Sequence, residues 1–380
     1  MIYLDAAVTV PTSEAVRELM SRTLQESWGN VSGAHSASRK AKNVLEEARE
    51  NFANNLGVSP DNVVFTSGAT ESLNIAIQGF GRAHPQATIF YSAIEHPAVS
   101  KPSQYFSKRG HEVVSLGVNS SGILNIEELE NVQPGDLVCV MPVNNEIGVI
   151  NDVEKISKIV HERGAYLLLD CVQTFYAFDP KYLCGIADFA VFSSHKLGGP
   201  QGVGLLVIKN RKLIDPLSFG GSQEWELRPG TTPAFLISAF SFVMENALAN
   251  RHESISTIEQ LQRVCIEEVT SSIPQAKIHA IEVARTPHIV SVDFGGVESQ
   301  MLVAMVDSKG VCVSRGSACA SGASTPSPVL LALGIQKAKA TSTLRLSFHP
   351  GTQESEVIEG IRIISECVAQ LQNSKSMVSS

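Results

Sequence analysis

The chain has 380 residues, 43% of them hydrophobic and 18% charged, with a formal net charge of -8. That balance excludes an intrinsically disordered chain, which lacks the apolar residues to build a core, and gives no basic face for direct contact with nucleic acid. No apolar run approaches the roughly 18 residues needed to span a bilayer, and the start, MIYLDAAVTV, lacks the basic and apolar regions of a signal peptide, so a cytoplasmic protein without membrane contact is expected.

The length exceeds what one hydrophobic core usually supports. The pattern divides the chain into an N-terminal arm over residues 1–14, a large ligand-binding domain over 15–250 and a small C-terminal domain over 251–380, to which the first residues also contribute. In chain order, PTSEAVRELMSRTLQE and SASRKAKNVLEEARENFANNLG predict the first two helices. Short β-rich runs then alternate with amphipathic stretches: NVVFTS with a helix from Thr70, ATIFYS with one after Pro97, HEVVSL, DLVCVMP followed by DVEKISKIVHERG, AYLLLD, DFAVFSS and VGLLVIKN. Such runs predict an α/β domain with a mainly parallel, mixed sheet and helices on both faces, whose chemistry lies directly after the strands. FLISAFSFVMENALAN and STIEQLQRVCIEEVTSSI predict two long helices. HIVSVDF, VCVS and TSTLRLSF follow as strands alternating with helices at VESQMLVAMVDSKG, SPVLLALG and ESEVIEGIRIISECVAQL, a smaller α+β domain. The closing NSKSMVSS is read as a disordered tail.

The seven cysteines form no CxxC pair and no cluster with histidines at metal spacing, which argues against a disulfide framework and against a bound metal. Cys139 and Cys367 lie among apolar residues and read as core. Cys319 is different: SRGSACASGASTPS surrounds it with small polar residues, glycine and proline, a loop in which a thiol needs a chemical reason. Four segments after strands are also polar together. FTSGATES opens a helix and reads equally as a helix cap or as an anion site at a helix N-terminus. LLLDCVQ ends a buried run in Asp170, FSSHKLGGPQGVG carries Lys196 before a glycine-rich turn, and MPVNNEIGVI offers Asn144 and Asn145. An anion site, a carboxylate after a strand and a lysine are the parts needed for pyridoxal phosphate: the lysine forms a Schiff base and the carboxylate keeps the pyridine nitrogen protonated.

On FTSGATES, EHPAV, VNNEIGV, LDCVQ, SSHKLGGPQGVG, LRPGT and SRGSACAS, the chain resembles the cysteine desulfurases, the NifS-like branch of class V aminotransferase-fold enzymes. The resemblance spans nearly the whole chain and implies the fold type I architecture of pyridoxal 5'-phosphate enzymes. It implies that Lys196 carries the cofactor, Asp170 pairs with its ring nitrogen, Gln173 and Asn145 hydrogen-bond around its phenolic oxygen, and His96 stacks on the ring as an acid/base. Ala69, Thr70, Ser193 and His195 would hold the phosphate, with Thr231 reaching in from the second subunit of a homodimer. Arg345 would bind the carboxylate of L-cysteine, with Asn30 and Asn145 nearby, and Cys319 would take the sulfur as a persulfide. Lys196 would move the Cα proton, alanine would leave, and the persulfide would pass to an acceptor protein of iron-sulfur assembly or a thiolation pathway. A selenocysteine or cysteine-sulfinate lyase, a small-molecule aminotransferase and a non-catalytic homologue are the alternatives on the same fold, and Cys319 is the residue that separates them. Arg315, Ala320, Val31, Cys171, Trp225 and Glu226 depart from the family's usual residues.

Overall fold

The apolar runs become strands, several of them buried along their whole length. The structure, a computed structural model, describes residues 1–316 and 325–378, with side chains through residue 374. In chain order the strands are β1 (Ile2–Tyr3), β2 (Val63–Thr66), β3 (Ile89–Ser92), β4 (Val113–Leu116), β5 (Leu137–Val140), β6 (Tyr166–Asp170), β7 (Phe189–Ser193), β8 (Gly204–Ile208), β9 (Lys277–Ile278), β10 (Ile289–Asp293), β11 (Val311–Cys312) and β12 (Thr343–Ser347). The helices are α1 (Glu14–Glu26), α2 (Ser36–Leu56), α3 (Ala69–Ala83), α4 (Pro97–Ser107), α5 (Val153–Glu162), α6 (Pro180–Ile186), α7 (Ala234–Ala249), α8 (Arg251–Ser272), α9 (Ser299–Ser308), α10 (Pro328–Ala332), α11 (Lys337–Ala340) and α12 (Glu354–Val378).

Among the described residues, seven strands form one sheet in the order β2-β8-β7-β6-β5-β3-β4. Neighbours from β7 to β4 run parallel, whereas β8 is antiparallel to both β7 and β2. The reversal follows from length: the glycine-rich link between β7 and β8 is too short for the dozen or so residues that a parallel crossover needs. Side chains alternate between two cores. Val138, Val140, Leu167 and Leu169 pack with Phe52 of α2 and Phe240 of α7, while Leu137, Cys139 and Leu168 pack with Phe80 of α3 and Val99 of α4. No helix among the described residues is long and apolar enough to cross a membrane.

A second sheet, β12-β10-β9, is antiparallel and is covered by Leu261 of α8, Leu302 of α9 and Ile361 of α12. Asn250 ends α7 and starts α8, and apolar residues on its two sides enter different cores. The first residues join the second core: Leu4 is buried there and β1 pairs in parallel with β11. VCVS therefore forms its strand with the N-terminus rather than within the three-stranded sheet. The stretch read as a disordered tail is also different, because α12 continues through it to Val378.

The segment around Trp225 is held by a buried ion pair. Glu224, Trp225 and Glu226 have φ of 46°, 54° and 67°, a run of left-handed backbone that only strong anchoring sustains. Arg49 supplies it, donating to Glu224 Oε1 at 2.7 Å and to Oε2 at 3.1 Å, with its guanidinium 4.6 Å from the Trp225 ring. The Phe65 amide donates to the same carboxylate at 2.8 Å. Glu224→Ala strands the Arg49 cation in the interior and is expected to cost about 3–5 kcal/mol, read as a lowered urea midpoint at unchanged slope.

Candidate active site

Strand ends and helix starts of the large sheet meet the N-terminal arm around a cavity of about 470 Å³. Asp170 is the last residue of β6 and Ser193 the last of β7, with Lys196 one short helical turn further on. Asn145 follows β5, His96 caps α4, and Ala69 and Thr70 open α3. All of these line the cavity, together with Gln173, His195 and, from β12, Arg345. Asn30 and Thr231 do not line it: both are exposed, and the Asn30 Oδ1 accepts from the Ser32 amide at 2.9 Å. Cys319 lies outside the described residues, as does Ala320.

The start of α3 is shaped for an anion. Its N-cap is Gly68, which offers no side-chain acceptor, so the first amides of the helix are left for a ligand. A Cβ at Gly204 would lie 2.6 Å from the backbone of Gly68, so β8 must carry glycine where this turn rests on it. Close by, His195 Nδ1 is buried and has no hydrogen-bond partner among the described residues.

Asp170 is buried, and burial raises its pKa to about 6 against the opposing pull of the Val172 amide and Lys196. A cation bound against it offsets that cost. Lys196 Nζ donates to the carbonyls of Ala7 and Val8, each at 2.7 Å, so the N-terminal arm, expected to join the small domain, also holds the lysine. His96 Nδ1 accepts from the Ala98 amide at 3.1 Å, which puts the proton of the neutral ring on Nε2. Burial, with Lys196 and Lys101 nearby, lowers its pKa to about 4, so the ring is neutral near pH 7.

Arg345 is buried, donating to the Asn145 carbonyl at 2.6 Å, to Asp5 at 3.1 Å and to Ser314 Oγ at 2.9 Å. Its Nε has no acceptor among the described residues, which leaves a charge-assisted donor for a carboxylate. Sequence reasoning missed the Ala7 and Val8 carbonyls, because a backbone acceptor carries no signal in residue type.

The fold is shared with known proteins. A family model described as Aminotransferase class-V matches residues 2–359. The cysteine desulfurase IscS of Dictyoglomus turgidum is 33% identical over 375 residues, covering 98% of this chain and 95% of that one. A probable mitochondrial cysteine desulfurase of Dictyostelium discoideum is 32% identical over 379 residues, covering 98% and 84%. Among solved structures, a NifS-like protein matches with a TM-score of 0.90 at 32% identity, over 97% of this chain and 100% of that one. SspA, solved in complex with cysteine, matches with a TM-score of 0.79 at 30% identity, over 92% and 99%. With the sheet order, the cavity and full-length likeness in agreement, the chain belongs to the class-V aminotransferase family and, within it, to the NifS- and IscS-like cysteine desulfurase group.

Proposed function

We propose that this protein is a pyridoxal 5'-phosphate-dependent cysteine desulfurase that converts L-cysteine to L-alanine and takes the sulfur on Cys319 as a persulfide for an acceptor protein. The convergence of Asp170, Lys196 and the uncapped start of α3 on one cavity carries this reading. The donor set suits the cofactor: an anion site for its phosphate, a buried carboxylate for its ring nitrogen and an amine for its aldehyde. When bound, the cofactor supplies an electron sink that makes the Cα proton of the substrate acidic.

The remaining work falls to the chain's own groups. Lys196 covalently anchors the cofactor and then moves the Cα proton. His96, neutral with its proton on Nε2, is the acid/base of the cavity. Arg345 holds the substrate carboxylate, which orients the sulfur, and Asp5 keeps the guanidinium in place. The exposure of Thr231, outside its own cavity, supports its use by a second copy of the chain, as does the 85% exposure of Phe219 beside the same segment.

Incubated with L-cysteine and a reductant, the cofactor-loaded protein is expected to form alanine and sulfide in equal amounts. A keto acid formed with consumption of the cofactor's aldehyde form would identify an aminotransferase instead. Release of sulfite from cysteine sulfinate, with no activity on cysteine, would identify a lyase.

A further inference from the structure

His288 is fully buried, is the residue before β10, and plays no part in the chemistry above. Its Nε2 lies 2.9 Å from Gln173 Oε1 and its Nδ1 lies 2.7 Å from Thr286 Oγ1. Gln173 in turn donates from Nε2 to the Ala7 carbonyl at 2.9 Å, the same oxygen that receives Lys196.

With the His288 ring neutral, this chain of contacts can be protonated in one way only. The Ala7 carbonyl has no proton to give, so the Gln173 atom facing it is the amide nitrogen. Gln173 Oε1 then faces His288 and must accept, which places the imidazole proton on Nε2. Nδ1 is left as an acceptor, and the Thr286 hydroxyl donates to it. One hydrogen of the Gln173 amide is used on Ala7, and the other remains for the cavity that Gln173 lines.

We propose that His288 is a positioning residue that fixes the Gln173 amide with its nitrogen toward Ala7 and the cavity, so that Gln173 acts there only as a hydrogen-bond donor. Without the histidine, the Ala7 carbonyl, which also receives Lys196, is left to hold the orientation of the amide, and Gln173 is fixed less firmly as a donor toward the cavity. Burial, with the charges of Arg345 and Lys196, lowers the pKa of the ring to about 3 and favours the neutral form, in which Thr286 donates to Nδ1. The Tyr176 ring packs against it at 5.1 Å. A ligand oxygen that carries negative charge is favoured at the cavity end of the relay. Within the desulfurase reading, on which this assignment of a ligand rests, that oxygen is the phenolic oxygen of the cofactor.

Two measurements test the proposal, and only one needs the cofactor. Nitrogen-15 NMR of the His288 ring is expected to show a neutral imidazole protonated at Nε2 down to about pH 5, below the ordinary histidine value of about 6.5. A proton on Nδ1, or titration near the ordinary value, would overturn the relay. In the loaded protein, a donor on the phenolic oxygen weakens its hold on the proton of the neighbouring linkage to Lys196. His288→Leu is therefore expected to raise the pH at which the bound cofactor changes colour by about one unit, the worth of one hydrogen bond to a charged group. His288→Gln, which returns an N–H near the position of Nε2, is expected to restore most of the wild-type value. An unchanged transition in His288→Leu, or a His288→Gln variant that behaves like leucine, would overturn the proposal. If His288→Leu fails to fold, the ring measurement and His288→Gln still decide. If no colour forms in the wild type, the desulfurase reading falls, whereas the ring measurement continues to test the relay.

Discussion

Lys196→Ala is expected to lower alanine formation from L-cysteine by at least about a thousandfold, because one side chain performs two tasks. Its amine anchors the cofactor covalently and later carries the Cα proton. It is held by the Ala7 and Val8 carbonyls at 2.7 Å, a position set by the N-terminal arm as well as by its own short helical turn. The start of α3 and Asp170 are untouched by the change, so cofactor still binds, but by noncovalent contacts alone. Absorbance after gel filtration reads the anchor, and an alanine assay reads the proton transfer. Retention of covalently held cofactor with near-normal turnover would remove Lys196 from both roles.

Cys319→Ser is expected to lower alanine and sulfide formation by about a hundredfold or more while the cofactor spectrum stays as in the wild type, since a serine hydroxyl does not replace a thiolate nucleophile. A free thiol has a pKa of about 8.5, so near neutral pH some positive charge or base must draw the proton away. Arg315 is the nearest described cation in the sequence, and its Nε donates to Ser299 Oγ of α9 at 3.1 Å. Stopped-flow absorbance and an alanine assay, run together, separate the steps. Loss of the cofactor spectrum in this variant would mean that Cys319 supports the cofactor site instead of accepting sulfur.

The strands were legible in the sequence because each central one is buried on both faces and reads as an apolar run, from DLVCVMP in β5 to VGLLVIKN in β8. The reversal of β8 was legible only as far as a mixed sheet, because the short link that dictates it is measured between strand ends, which composition does not fix. Asp170, Lys196 and the start of α3 could be singled out from sequence since each ends or closely follows a strand, where open α/β sheets place their ligands. The arm's part in the site was hidden: Ala7 and Val8 act through backbone oxygens, and β1 is two residues long. His288 was equally silent, because its partner Gln173 lies on a distant segment that only the packed fold brings to it. Trp225 and Glu226 stood out as departures, but their left-handed backbone and the Arg49–Glu224 pair that anchors it are tertiary facts.

The central claim is that sulfur leaves cysteine by transfer to Cys319, and mass spectrometry of the protein after a single turnover without reductant tests it most directly. The account predicts that the peptide containing Cys319 gains the mass of one sulfur atom, while those containing Cys139, Cys171, Cys184, Cys265, Cys312 and Cys367 do not. Free sulfide released in step with alanine, with Cys319 unmodified, would contradict it.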